Sequence, residues 1–186
     1  MPVSTEEKEE QKKKFSKKQL LMFIAGLLAM LIGGSILSVM VFRRIRRDIQ
    51  RQKLMDTNVV IEIPDLRLKA PVLEGTEQEI LAQAVGHFPE TGSVGKGNYC
   101  IAGHSSPIYK EYFNCLKEAQ NGMLLYLYDV DKNKSIYEIS EHFIVNPDET
   151  WILDDFNDDR VTLVTCTDDG SQRLITIAKL CPEETS

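Results

Sequence analysis

Two β-branched runs near the C-terminal end, joined by a short polar segment, constrain the fold more than any other stretch. The runs are residues 161–165 (VTLVT) and 174–177 (LITI), and Asp169-Gly170 lies between them, a strong signal for a β-hairpin. If Asp169-Gly170 is the centre of a two-residue turn, Cys166 faces Arg173 across the hairpin. Directly opposed residues share one side of a sheet, with Cβ atoms about 4.5–5.5 Å apart. The hairpin therefore predicts a thiol beside a guanidinium.

This pairing has two interpretations that the spacing leaves open. A neighbouring cation favours the thiolate, which is the nucleophilic form of cysteine, and an arginine also stabilises an oxyanion formed during attack on a carbonyl. Alternatively, Cys166 is a small buried hydrophobe and Arg173 a solvated strand residue. The chemical interpretation depends on the register, because a slip of one residue would place the two side chains on opposite faces.

A charge-free run near the start of the chain predicts a membrane anchor. Residues 20–42 contain 23 residues without a charge, enough for a helix to cross roughly 30 Å of hydrocarbon. The run is too long for a cleaved signal peptide, so we expect an uncleaved anchor. A basic, disordered tail (1–19) precedes it and a basic juxtamembrane stalk (43–57) follows it. Positive charges on both sides leave the orientation of the anchor undecided.

Residues 58–182 have the size of one folded domain. Short alternating or β-branched segments predict seven strands, at residues 59–63, 66–69, 98–102, 123–130, 135–145, 161–165 and 174–177. With only short helices between them, a mainly β, closed or nearly closed barrel is expected. The net charge is −6 and the basic residues crowd before Asn58, which argues against nucleic-acid binding by the acidic folded part.

A cysteine nucleophile normally needs a histidine, and the chain has three. His104 follows a predicted strand and a glycine, and strand ends are where folds often present catalytic side chains. His87 lies in a Gly/Pro-rich loop, where a backbone hydrogen bond is its ordinary role, and His142 lies within an alternating strand. His104 is therefore the favoured partner of Cys166.

The remaining cysteines and acidic residues offer no clear metal site. Cys100, Cys115, Cys166 and Cys181 are spaced C-x14-C-x50-C-x14-C, which is not a zinc pattern. A disulfide between Cys100 and Cys115 is an alternative, whereas a nucleophilic Cys166 must be unpaired. The acidic run at residues 154–159 is interpreted as a solvated loop, with calcium binding as the alternative. No metal or cofactor is expected.

Several motifs together resemble the sortases, the membrane-anchored cysteine transpeptidases of Gram-positive bacteria. The motif T-L-V-T-C at residues 162–166, followed by Arg173, resembles the family signature. I-E-I-P at 61–64, G-H-F-P-E-T at 86–91 and A-G-H at 102–104 occur in the family's order. The resemblance covers about residues 59–180 and also accounts for the N-terminal anchor.

The resemblance implies a fold, a site and an orientation. The fold would be an eight-stranded β-barrel, one strand more than the sequence predicts. The catalytic residues would be His104, Cys166 and Arg173, with His87 outside the trio. The N-terminus would lie in the cytoplasm and the catalytic domain outside the cell.

The implied reaction is acyl transfer from an L-P-x-T-G-like sorting signal to an amine of the cell-wall precursor, through a thioester on Cys166. The absence of a lid motif and of long insertions favours a compact class D or class A member. The alternatives are a pilin-polymerising sortase, a hydrolytic cell-wall cysteine peptidase and a non-catalytic anchored β-domain.

Overall fold

The computed structural model describes residues 17–105 and 112–182, and the chain divides into two compact units at residues 47 and 48. The N-terminal unit consists of helix α1, which runs from Lys17 to Thr57 and continues into the second unit. In the described part of the chain, α1 is the one helix long and apolar enough to cross a membrane. It contains the predicted anchor at 20–42 and the predicted stalk. Residues 1–16 of the predicted tail lie outside the described residues.

The second unit is built from β-strands that close on themselves. The described residues of this unit form eight strands: β1 (Val59–Ile63), β2 (Leu68–Glu74), β3 (Val85–His87), β4 (Asn98–Ala102), β5 (Leu124–Tyr128), β6 (Lys134–Val145), β7 (Arg160–Cys166) and β8 (Arg173–Leu180). The helices are short: α2 (Gln78–Leu81) and three 3-10 helices at Pro64–Leu66, Tyr112–Glu118 and Trp151–Leu153. The mainly β barrel with short helices is confirmed.

The strands follow one another around the barrel in the order β1-β2-β3-β4-β7-β8-β6-β5, and β5 returns to β1. Two neighbouring pairs, β2–β3 and β4–β7, are parallel, and the other pairs are antiparallel. The parallel β4–β7 pair determines the site, because it brings the C-terminal ends of two strands to the same rim of the barrel.

Two strands differ from those predicted. The strand absent from the prediction is β3, whose three residues were interpreted as part of a loop. The predicted strand at 66–69 starts later and continues through Pro71 to Glu74. Pro71 pairs with Val60 of β1, and the pairing with β3 begins only at Val72. A proline is tolerated there because its missing N–H faces no second strand.

Strand β7 is buried on both faces. Val161 and Leu163 point into the barrel and join its main core. Val164 points outward into a second apolar cluster that includes Ile152, Ile175 and Ile177. The connection between β6 and β7 covers this outer cluster, so the outer face of the barrel is apolar beside the end of β7.

Candidate active site

The hairpin formed by β7 and β8 has the predicted register. Cys166 pairs directly with Arg173, so the thiol and the guanidinium leave the sheet on the same face. The turn itself is longer than predicted. The Thr167 N–H donates to the Gln172 carbonyl at 3.1 Å and the Gly170 N–H to the Thr167 carbonyl at 2.8 Å, which closes a four-residue loop. Gly170 has φ +74°, a value that glycine adopts without strain.

The parallel pairing of β4 with β7 places His104 at the level of Cys166. Ala102 pairs with Val164, and the Gly103 N–H donates to the Val164 carbonyl at 3.1 Å. His104 lies two residues beyond the end of β4, and from an extension of the same register we infer that it stands opposite Cys166. Because adjacent strands lie about 4.8 Å apart, this register would bring His104, Cys166 and Arg173 side by side.

All three side chains belong to the outer face of the barrel. Successive side chains of a strand alternate between faces, and the core residues fix which face is inside: Ile101 in β4, Leu163 in β7 and Leu174 in β8. His104, Cys166 and Arg173 are each an odd number of residues from these positions. Cys166 and Arg173 therefore project outward at one rim, and the same alternation, extended beyond the end of β4, assigns His104 to that side.

Buried contacts fix the backbone on which His104 stands. The Thr165 hydroxyl donates to the Gly103 carbonyl at 2.7 Å, and Thr165 is 3% exposed. On the other side, the Phe113 N–H donates to the His104 carbonyl at 3.1 Å. A Cβ at Gly103 would lie 2.6 Å from Cδ2 of Phe113, so the ring packs directly on the glycine. Thr165 therefore helps to hold the Gly103 backbone in place, a role that the motif at residues 162–166 alone did not predict.

The predicted site residues are half-buried and carry unused chemical groups. Within the described residues, His104 Nε2 is buried without a hydrogen-bond partner, although buried ring nitrogens are normally paired. The Arg173 Nη1 donates to the Gln172 carbonyl at 3.2 Å, which leaves most of its five N–H donors unused by that contact. Among the described residues, the His104 nitrogen is thus unpaired and most of the Arg173 donors are unused by this contact.

The four cysteines are free thiols, so the alternative disulfide between Cys100 and Cys115 is not formed. Burial raises the pKa of the Cys100 thiol to about 12, and it also raises the pKa of Cys115 and of Cys181. A raised pKa disfavours the reactive thiolate. These three thiols are therefore poor nucleophiles.

The other two histidines are already occupied. His87 is 8% exposed; its Nδ1 lies 2.8 Å from a Glu74 carboxylate oxygen, and its Nε2 lies 3.1 Å from the Gly92 carbonyl. Its ring stacks on Tyr99 at 4.2 Å. His142 Nδ1 lies 2.9 Å from the Thr176 hydroxyl, and burial lowers the pKa of this imidazole. The structure does not bring either histidine to the Cys166 rim.

The connection between β6 and β7 is anchored at the start of β4, away from His104. Asn98 Nδ2 donates to the Ile152 and Asp154 carbonyls, each at 2.9 Å, and its Oδ1 accepts from the Thr162 hydroxyl at 2.7 Å. Asn98 is 2% exposed, so these bonds are shielded from water. They hold the connection over the outer apolar cluster.

The acidic run in the same connection contacts an arginine. Arg160 is 9% exposed and pairs with Asp158, and this pairing lowers the pKa of that carboxyl. The Arg160 guanidinium is buried, and its Cζ lies 4.2 Å from the Phe156 ring centroid. In residues 17–105 and 112–182, no three His, Cys, Asp or Glu side chains are placed to hold a metal ion.

Comparison with known proteins identifies relatives for the barrel. The family model described as "Sortase domain" matches residues 61–181. Sortase A of Bacillus anthracis is 31% identical over 122 residues, which are 64% of this chain and 58% of that protein. The chain spans just over half the length of the curated relatives that it matches, between 51% and 58%.

Solved structures of two sortase classes are also similar. The Clostridium perfringens Sortase D5 transpeptidase superposes with a TM-score of 0.62 at 31% identity, covering 68% of this chain and 80% of that one. Sortase C-1 of Actinomyces oris gives a TM-score of 0.62 at 27% identity, covering 67% and 71%. Both solved structures are similar over about the same two thirds of this chain.

Proposed function

Because the chain belongs to the sortase family, we propose that it is a membrane-anchored cysteine transpeptidase that cleaves an L-P-x-T-G-like sorting signal between Thr and Gly. In this proposal Cys166 is the nucleophile, His104 is the general acid and base, and Arg173 binds the oxyanion or the peptide backbone. The product is a surface protein attached to an amine of the cell-wall precursor. No cofactor takes part.

One observation carries the proposal: Cys166 pairs directly with Arg173, and the β4–β7 register sets His104 at the level of the same cysteine. In this proposal a nucleophile, a proton carrier and a cation share one face at one rim. A structural role for Cys166 would not require a histidine nitrogen that lacks a partner among the described residues.

In the first half-reaction, the Cys166 sulfur, as a thiolate whose proton is held by His104, bonds to the Thr carbonyl carbon of the sorting signal. The negative charge that develops on the carbonyl oxygen is stabilised by the Arg173 guanidinium. The C–N bond to Gly then breaks, and His104 gives a proton to the leaving amine. The products are a thioester and a free glycine amine.

In the second half-reaction, an amine of the acceptor attacks the thioester carbonyl. His104 removes a proton from the attacking nitrogen as the new C–N bond forms. The C–S bond breaks and the Cys166 sulfur leaves as thiolate, which restores the enzyme. The number of peptide-like bonds is unchanged, so no energy source is needed.

The apolar cluster beside the site supports the end of β7. Val164 and Ile175 pair with each other next to Cys166 and Arg173, and both are buried in the outer cluster. In this proposal the sorting signal contacts the surface around the cluster rather than the buried cluster itself. The N-terminal tail is proposed to lie in the cytoplasm and residues 58–182 outside the cell, where sorting signals arrive.

The test uses the full chain in detergent micelles with a fluorogenic sorting peptide and a glycine-peptide amine. We expect cleavage, a ligated product that depends on the amine, and loss of both in Cys166→Ala. Cys181→Ala is the matched control, because it removes a thiol away from this rim and should retain activity. Cleavage that persists in Cys166→Ala, or hydrolysis indifferent to amines, contradicts the proposal.

A pilin-polymerising sortase is the second candidate, and the similarity to a class C structure favours it. The two functions differ in the acceptor. If a lysine side chain in a pilin-like peptide outcompetes the glycine amine in the ligation assay, the acceptor is a pilin lysine. A hydrolytic cell-wall peptidase would instead release the free Thr carboxylate with or without either amine.

A further inference from the structure

The last turns of helix α1 are bonded to the barrel rather than free of it. Residues 48–57 belong to the same compact unit as the strands. The Met55 carbonyl is among the last four of the helix, which have no intrahelical donor, and Lys132 Nζ donates to it at 2.8 Å. Leu54 and Met55 are half-buried. The helix end therefore forms part of the folded barrel unit.

Arg51 makes the contact that leads toward the candidate site. Its guanidinium donates to the Lys69 carbonyl of β2 and lies over the Tyr112 ring, with Cζ 5.0 Å from the ring centroid. A guanidinium over an aromatic face is attracted by the ring quadrupole. Arg51 therefore links β2 to the start of the 3-10 helix at Tyr112–Glu118.

The residue after Tyr112 touches the backbone of the predicted catalytic histidine. The Phe113 N–H donates to the His104 carbonyl at 3.1 Å, and its fully buried ring packs on Gly103. The Tyr112 hydroxyl donates to the Gln83 carbonyl at 3.2 Å, which fixes the ring from the other end. These contacts form a continuous path from Arg51 through Tyr112 and Phe113 to Gly103 and His104.

We propose that Arg51 is a positioning residue for His104, acting through Tyr112, and that the catalytic unit begins within α1 rather than at residue 58. This inference rests on the proposed function, because it assigns His104 a role in catalysis. The contact is exposed to water, so its strength is in the range of surface cation–π pairs. The loss of such a contact corresponds to a factor of about two to five in a rate.

The test compares Arg51→Gln with Arg67→Gln in the full chain in micelles. Both arginines line one cleft of about 710 Å³, but within the described residues only Arg51 lies over Tyr112. We expect Arg51→Gln to lower kcat by about two- to fivefold at unchanged KM and to shift the pH profile of kcat/KM. Arg67→Gln and the conservative Arg51→Lys should match the wild type.

A double-mutant cycle tests the route. Tyr112→Leu should reproduce the loss seen in Arg51→Gln. The double variant should be no slower than the slower single variant, because both changes break the same contact between Arg51 and the Tyr112 ring. Tyr112→Phe keeps the ring and should retain activity. The inference is overturned if the kcat losses of the two single variants multiply in the double variant. It is also overturned if Arg51→Gln and Arg67→Gln have equal kinetics.

A readout without turnover separates this inference from the proposed function. The ¹⁵N chemical shifts of the His104 ring should differ from the wild type in Arg51→Gln and match it in Arg67→Gln. If the wild type fails to ligate sorting peptides, the proposed function fails while these shifts still report the contact. If the wild type ligates and the shifts are the same in both variants, only the positioning role fails.

Discussion

The hydrogen bond from Thr165 to Gly103 predicts a variant whose effects on stability and on activity can be separated. In Thr165→Val the side chain keeps its shape and loses the hydroxyl, so the Gly103 carbonyl loses a buried donor at 2.7 Å. Leaving a buried acceptor unpaired costs about 1–3 kcal/mol. Typical domains have only about 5–15 kcal/mol of unfolding free energy, so a shift in urea unfolding followed by Trp151 fluorescence should be easily measured.

Activity should fall by more than stability accounts for. Gly103 immediately precedes His104, and a displacement of about 1 Å at a catalytic group lowers rates by up to about 100-fold. Thr162→Val is the matched control on the same strand: its hydroxyl donates to Asn98 at an equal 2.7 Å, away from His104. It should lose similar stability and keep kcat.

Thr165→Ser retains the hydroxyl and should restore most of the activity of the wild type. The reasoning is refuted if Thr165→Val and Thr162→Val show the same kcat. It is also refuted if Thr165→Val unfolds at the urea concentration of the wild type.

Three further outcomes follow from other positions. Gly170→Ala should lower the free energy of unfolding by about 1–2 kcal/mol, because residues with a Cβ are strained at the φ of +74° that Gly170 adopts. The added Cβ meets nothing within 4 Å, so the loss comes from the backbone and not from a clash. An unchanged urea midpoint would contradict this. Thiol-specific alkylation followed by peptide mass spectrometry should label Cys166 in the folded protein, while Cys100, with its pKa raised to about 12, should react only after unfolding. Burial lowers the pKa of His142, so the unfolded chain binds the proton more readily and the free energy of unfolding should decline as pH falls below about 6.5. His142→Gln should flatten that decline. Equal slopes of unfolding free energy against pH in the variant and the wild type would disprove it.

The hairpin shows how much of the site could be predicted from local sequence. The β-branched runs around Asp169-Gly170 gave the correct pairing of Cys166 with Arg173, although the loop has four residues instead of two. Both turns produce the same pairing because Thr167 and Gln172 close the hairpin in the same register. Register was therefore more predictable than turn geometry.

Strand β3 could not be predicted from local sequence, because it depends on its neighbours in the sheet. Its three residues have no apolar run, and they form a strand only because β2 and β4 pair with them on both sides. A Cβ at Gly86 would lie 2.1 Å from the Gly75 carbonyl, so the close approach of these chains requires glycine. That requirement comes from a contact across the fold, and it leaves no periodic pattern in the sequence.

The neighbours of His104 were equally hidden from sequence. Phe113 contacts the His104 carbonyl and Thr165 contacts the Gly103 carbonyl, through bonds that join distant segments. Phe113 is a common core residue type and threonine is a common strand residue, so neither stands out in the sequence. Only the parallel pairing of β4 with β7 gives Thr165 its place beside Gly103.

The closure of the barrel from β5 back to β1 limits how any extended peptide can be recognised. Every barrel strand in residues 59–105 and 112–180 already has a neighbour on each side, so no complete strand edge is left to pair with an incoming backbone. A bound peptide must lie across outward-facing side chains and the connections above them. Peptide preference can therefore change by substitution on that outer surface while the hydrogen-bonded ladder beneath remains the same.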